Sequence, residues 1–243
     1  MIEIKKVSKS YKKGNKVIDN LSLEINDGEI FGFIGLNGAG KTTTIKMMTG
    51  ILEIDEGKIL IDGNDIEKNP VEAKKRIGYV PDSPDMFLKL KGIEYLNFIA
   101  DTYNVNTEDR VNLIEKYAKE FGIFDKLENR IESYSHGMRQ KIVIIGALIH
   151  NPKNLILDEP ITGLDPKSSF DLKQTLKEYA KCGNAVFFST HILEIAEKLC
   201  DKIGIINNGK LIYLGTIESL KERFGEEKSL EEIFINIIEN NEE

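Results

Sequence analysis

Apolar residues along this chain follow two rhythms. Short runs of β-branched and aromatic residues recur at Ile30–Ile34, Ile59–Ile61, Ile77–Val80, Leu155–Leu157, Ala185–Phe188 and Ile203–Ile206. Runs this short and this uniformly apolar predict buried strands. Between several of them lie stretches with helical spacing, Lys41–Thr49, Lys167–Lys181 and Ile192–Leu199, and the alternation predicts a mostly parallel sheet with helices packed around it. The opening 30 residues instead alternate apolar with polar side chains, as an antiparallel β layer would. From about Met86 to Ile149 strand signals nearly vanish. There Ile93, Leu96, Ile99 and Ala100, then Val111, Ile114, Ala118 and Phe121, recur at three- and four-residue spacing, which predicts a helical insertion. Near the carboxyl end Ser229 is placed to cap a helix, with Glu232 three positions on and Ile233, Phe234 and Ile237 after it. A terminal helix that frays is expected there. The expected division is one α/β domain over 1–225, its helical part at about 86–150, and a helical tail over 226–243.

Composition narrows the class. A chain of 243 residues has room for one large domain with a modest insertion but not comfortably for two. Its 41% hydrophobic and 30% charged residues are those of an ordinary globular protein. A net charge of −7 argues against a surface built to neutralise nucleic-acid phosphates. Cys182 and Cys200 lack metal-ligand spacing and read as reduced thiols in the core of a cytosolic protein. The first residues, MIEIKKVSKSYKKG, lack the apolar stretch of a secretory signal. The longest apolar stretch, Ile142–Ile149, is far too short to span a membrane, so any membrane role would need partners.

Two segments carry chemistry. Gly35-Leu36-Asn37-Gly38-Ala39-Gly40-Lys41-Thr42 fits the phosphate-loop pattern G-x-x-x-x-G-K-[ST], and it stands between a predicted strand and a predicted helix, the context the motif requires. Glycines let successive N–H groups, here over Asn37 to Thr43, point at phosphate oxygens, and the helix N-terminus adds its positive dipole end. Lys41 would reach the β and γ phosphates, and Thr42 would ligate Mg²⁺. In Asn154-Leu155-Ile156-Leu157-Asp158-Glu159-Pro160, two carboxylates close a buried strand. Asp158 would hold Mg²⁺, and Glu159 would orient or deprotonate the water that attacks the γ phosphate.

With these in place the chain resembles the ATP-binding subunits of ABC transporters, over about residues 1–225. The segment that carries the resemblance is Tyr134-Ser135-His136-Gly137-Met138-Arg139-Gln140-Lys141, similar to that family's LSGGQ signature, with His136 where a glycine usually stands. Ser135, Gly137 and Met138 at a helix N-terminus would make a second phosphate-binding surface. In the family that surface covers the ATP of a second subunit, so the resemblance implies a dimer sandwiching two nucleotides. Thr162-Gly163-Leu164-Asp165 resembles the loop that communicates between subunits, His191 the switch histidine that senses the γ phosphate, and Tyr11 the aromatic residue on which adenine stacks. Ile77-Gly78-Tyr79-Val80-Pro81-Asp82 departs from the pattern, because Asp82 replaces a glutamine that touches Mg²⁺ and the water. A carboxylate still suits that cation, and an acidic residue here hints at bacterial exporters of the ABC-2-like kind.

The resemblance further implies transmembrane transporter subunits as partners, with a membrane subunit's cytoplasmic helix docking near Met86, Phe87 and Leu88. It places the chain in the cytoplasm, peripheral to the inner face of the cell membrane, with no nucleic acid expected. The alternative is a soluble ATPase of the same family acting on nucleic acid or an assembly complex. Against it, no sustained heptad runs between Lys41 and Asp158 and only one motif set is present. An unrelated kinase or GTPase would make the signature and switch resemblances accidental.

Overall fold

A computed structural model describes residues 1–12, 14–225 and 229–239. The chain opens with β1 (Ile2–Lys12) and β2 (Asn15–Ile25), which pair antiparallel, Ile2 opposite Ile25. Then follow β3 (Ile30–Ile34), α1 (Lys41–Met48), β4 (Glu56–Ile61), β5 (Asn64–Asp65), α2 (Pro70–Lys74) and β6 (Ile77–Val80). The helical part holds α3 (Gly92–Thr102), α4 (Thr107–Glu120), two single 3₁₀ turns and α5 (His136–Leu148). After it come β7 (Asn154–Asp158), α6 (Pro166–Lys181), β8 (Ala185–Thr190), α7 (Leu193–Leu199), β9 (Lys202–Asn207), β10 (Lys210–Gly215), α8 (Ile217–Phe224) and α9 (Leu230–Glu239).

Two sheets result. One is antiparallel, in the order β2-β1-β4-β5; the other runs β10-β9-β3-β8-β7-β6, parallel except for β9 with β10. This is the expected α/β architecture, with one correction. The Ile59–Ile61 run does not join the parallel sheet; it lies in β4, paired antiparallel with β1. Apolar periodicity fixes that a strand is buried, and it carries no information about which strand it pairs with.

The parallel sheet separates two cores, and its pleat sorts the side chains between them. On β7, Leu155 and Leu157 face the helical part while Ile156 faces the antiparallel layer. On β8, Phe188 faces the helices; Phe187 packs on the other side, stacked on Phe31 at 5.8 Å and tilted against Phe33 at 5.4 Å. Since Phe187 is fully buried, Phe187→Ala is expected to cost about 3–5 kcal/mol of stability in urea unfolding. A loss under about 1 kcal/mol would mean that this aromatic cluster is not the keystone of the layer contact.

In the helical part Leu96, Ala100, Ile114, Ala118 and Phe121 are buried as the spacing predicts, whereas Val111 is exposed. A second correction concerns the carboxyl end. Ser229 and Glu232 cap α9 reciprocally, and Leu230, Ile233, Phe234, Ile237 and Ile238 bury against α7 and the β9–β10 hairpin, so over its described length α9 is packed, not frayed. Residues 226–228 and 240–243 of the expected tail lie outside the described residues. A third concerns the thiols. Cys200 is partly buried beneath Gly32, but Cys182, at the end of α6, is exposed.

Candidate nucleotide site

Four neighbouring parallel strands end on one edge, and the chemistry collects there. In the order β3, β8, β7, β6 their carboxyl ends deliver the phosphate loop, His191, the Asp158–Glu159 pair and Asp82. The register aligns them: Ile34 lies beside Thr190, Asp158 beside Ser189 and Val80 beside Leu157. The edge opens into a cleft of about 560 Å³ lined by Asn37, Gly38, Gly40, Lys41, Thr42, Thr43, Asp82, Glu159 and His191, and also by Val17 and Thr162. Such a volume suits a small-molecule ligand.

The phosphate loop wraps tightly onto the sheet. A Cβ on Gly35 would stand 2.6 Å from the Ile206 carbonyl oxygen, and one on Gly40, at φ +112°, would stand 2.5 Å from Ile18. Both positions therefore require glycine. Ala39 is buried behind the loop. Lys41 is also buried; its Nζ donates to the carbonyl oxygens of Gly35 at 2.8 Å and Leu36 at 3.3 Å and lies 3.4 Å from Glu159 Oε1.

Asp158 and Glu159 share one organiser that no sequence motif marks. Buried Ser189 donates to Asp158 Oδ1 at 2.6 Å and accepts from the Glu159 backbone N–H at 3.1 Å. Asp158 is fully buried, and its carboxyl is raised above the usual range. Desolvation is the leading cause, with Asp82 and Glu159 adding repulsion, against hydrogen bonds from Ser189 and Thr42. Burial beside the same carboxylates, Asp158 and Asp82, pushes the Tyr79 hydroxyl up to about 12. Asp158 Oδ2 is buried without a hydrogen-bond partner. Glu159 adopts φ +48°, a left-handed backbone that non-glycine residues hold only when their surroundings fix it. Its side chain lies between two nitrogens, Lys41 Nζ on Oε1 and His191 Nδ1 at 3.0 Å on Oε2.

A buried carboxylate oxygen without a hydrogen-bond partner, on a carboxyl flanked by the Thr42 hydroxyl and Asp82, is a fitting donor set for a hard divalent cation. Among the described residues no three His, Cys, Asp or Glu side chains cluster as a complete metal cage. Such a cation would therefore draw its remaining ligands from phosphate and water.

Not every expected residue reaches the cleft. Tyr11 stands exposed at the rim, its hydroxyl 3.4 Å from Thr43 Oγ1. Ser135 caps α5 by accepting from the Met138 N–H at 3.3 Å, and neither it nor Gly137 nor Met138 lines the cleft of the same chain. Val17 is not recognisable as cleft-lining from sequence, because a lone valine carries no phosphate-binding motif, and Thr162 belongs in sequence only to the segment that resembles the communicating loop.

A phosphate loop after the central strand of a parallel sheet, facing a carboxylate pair from a neighbouring strand, defines a P-loop nucleoside triphosphatase. The ABC transporter family model matches residues 18–162. The ABC transporter ATP-binding protein NatA of Bacillus subtilis is 38% identical over 212 residues, 87% of this chain and 86% of that protein. The linearmycin resistance ATP-binding protein LnrL of the same organism is 35% identical over 93% of this chain and 72% of its own length. A solved ATP-binding subunit of an ABC transporter superimposes with a TM-score of 0.93 at 32% identity, covering 98% of this chain and 99% of its own. This chain belongs to the ABC transporter ATP-binding family; it binds and hydrolyses ATP and powers transport through partner membrane subunits. Among the described residues no helix is long and apolar enough to cross a membrane.

Proposed function

We propose that two copies of this chain bind ATP with Mg²⁺ and close head to tail, each phosphate loop covered by Ser135, Gly137 and Met138 of the other copy. The observation that carries the chemistry is Glu159, an inward-facing carboxylate between Lys41 and His191 on a strained backbone. There it would accept a proton from the water attacking the γ phosphate, while His191 would read that phosphate and Lys41 would bridge the β and γ oxygens. Thr42 and Asp158, with Asp82 in the role usually filled by glutamine, would hold Mg²⁺, which neutralises charge on the phosphates. Tyr11 would stack on adenine. The two-copy arrangement is supported by the exposure of Ser135 outside its own cleft, on a helix N-terminus free to meet an anion from outside.

Movement would pass to a membrane subunit through the helical part, about residues 86–150. Phe87, 45% exposed and tilted against Tyr95 and Phe98, offers an aromatic seat for that subunit's cytoplasmic helix, while Met86 and Leu88 pack partly against the core. The same reading places the chain at the cytoplasmic face of the cell membrane. The acidic Asp82 and a relative named for linearmycin resistance favour an exporter.

Mixed dimers test the sandwich. With Ser135→Arg in one partner only, turnover should fall at the phosphate loop of the opposite partner, read with a Lys41→Ala mark on either copy. Damage confined to the altered copy's own loop would refute the head-to-tail arrangement.

A further inference from the structure

The opening turns of α5 grip the loop that follows Glu159. His136 places an imidazole where the signature usually has glycine, and the ring lies directly against Gly163: a Cβ there would stand 2.4 Å from His136 Cδ2 and 2.8 Å from Nε2. Gly163 holds φ +80°, so its conformation and its lack of a side chain both suit the ring. Two further contacts bracket this one. Buried Gln140 donates Nε2 to the Pro160 carbonyl oxygen at 3.4 Å, and Lys141 Nζ lies 3.2 Å from Asp165 Oδ2. Asp165 in turn caps α6 by accepting from the Ser168 N–H at 3.0 Å. Hydrogen bonds from Ser168, and then Lys141, hold its carboxyl well below the usual range. The loop from Pro160 to Asp165 is thus tied at its start, middle and end to one helix.

We propose that His136 is a positioning residue that, with Lys141, locks the 160–165 loop onto the signature helix, so that Ser135 and Glu159 of one chain respond as a single body. The inference rests on the two-copy reading above. Under it, Ser135 meets the partner's nucleotide while Glu159 serves its own, and the lock makes each site's hydrolysis depend on the occupancy of the other. Ser135 and His136 are both exposed, so substituting His136 removes no core contact.

The test is the ATP-concentration dependence of hydrolysis by the full chain, compared among the parent, His136→Gly, His136→Gly with Lys141→Ala, and His136→Asn. The parent is expected to show a Hill coefficient approaching about 2, the number of coupled sites. His136→Gly should weaken the coupling about 2–30-fold, and the double variant should bring the coefficient to about 1. A fluorescent ATP analogue should still bind the chain's own phosphate loop in both. His136→Asn keeps a flat polar group against Gly163 and should recover part of the cooperativity, which a general loss of structure would not allow. Parent-like cooperativity in the double variant overturns the lock. If ATP-dependent dimers of Glu159→Gln still form, the lock alone has failed; a parent with no cooperativity and no such dimers removes the two-copy reading together with it.

Discussion

Glu159→Gln is expected to lower kcat by about 10²–10⁴-fold, the range for loss of a positioned general base. ATP binding should persist, because the amide keeps the shape of the carboxylate beside Lys41 and His191. Without turnover, ATP would hold the proposed closed state through its differential affinity for it, so dimers should accumulate with ATP in size-exclusion chromatography and disappear with ADP. Hydrolysis within a few-fold of the parent would remove Glu159 from the role of base. The geometry makes that outcome unexpected, since Ser189 fixes the Glu159 backbone and the side chain enters the cleft beside the phosphate loop.

Lys41→Ala should act one step earlier. The ammonium supplies charge-assisted hydrogen bonds worth about 1.5–3 kcal/mol each, so losing one to a phosphate weakens ATP binding about 10–150-fold. The same change leaves Glu159 Oε1, which has no hydrogen bond, without the cation 3.4 Å away. Added repulsion toward phosphate should therefore deepen the loss. A fluorescent nucleotide titration distinguishes this from the Glu159 variant, which should bind and not turn over. Affinity within about twofold of the parent would show that the backbone N–H groups, not the lysine, dominate phosphate capture.

The residues of the candidate site are legible in the sequence because they sit in local motifs. The phosphate loop and the Asp158–Glu159 pair are contiguous, and apolar runs on either side reveal their strand and helix flanks. Features that depend on contacts between distant segments are hidden from such a reading. Ser189 follows the apolar run Ala185–Phe188 with no motif of its own, and its role exists only because β7 and β8 are neighbours. The pairing of β4 with β1 is a matter of partner choice to which periodicity is blind. Cys182 suits the core by residue type, yet it falls at the exposed end of α6. His136 stands out in the sequence as a departure from a family pattern, and its contact with Gly163 requires the fold to bring the start of α5 against the loop after β7.

The end of β8 also limits where this chain can change its length. Ser189 anchors the Asp158 carboxylate and the Glu159 backbone, the Thr190 hydroxyl accepts from the Ile192 N–H at 3.0 Å, and His191 meets Glu159. One residue inserted or deleted between Ala185 and Ser189 would swing all three groups to the wrong side of the strand together. Natural length variation should therefore be sparse in this segment and more frequent at the exposed turn near Gly183, where the backbone meets no neighbouring atom that a side chain would disturb.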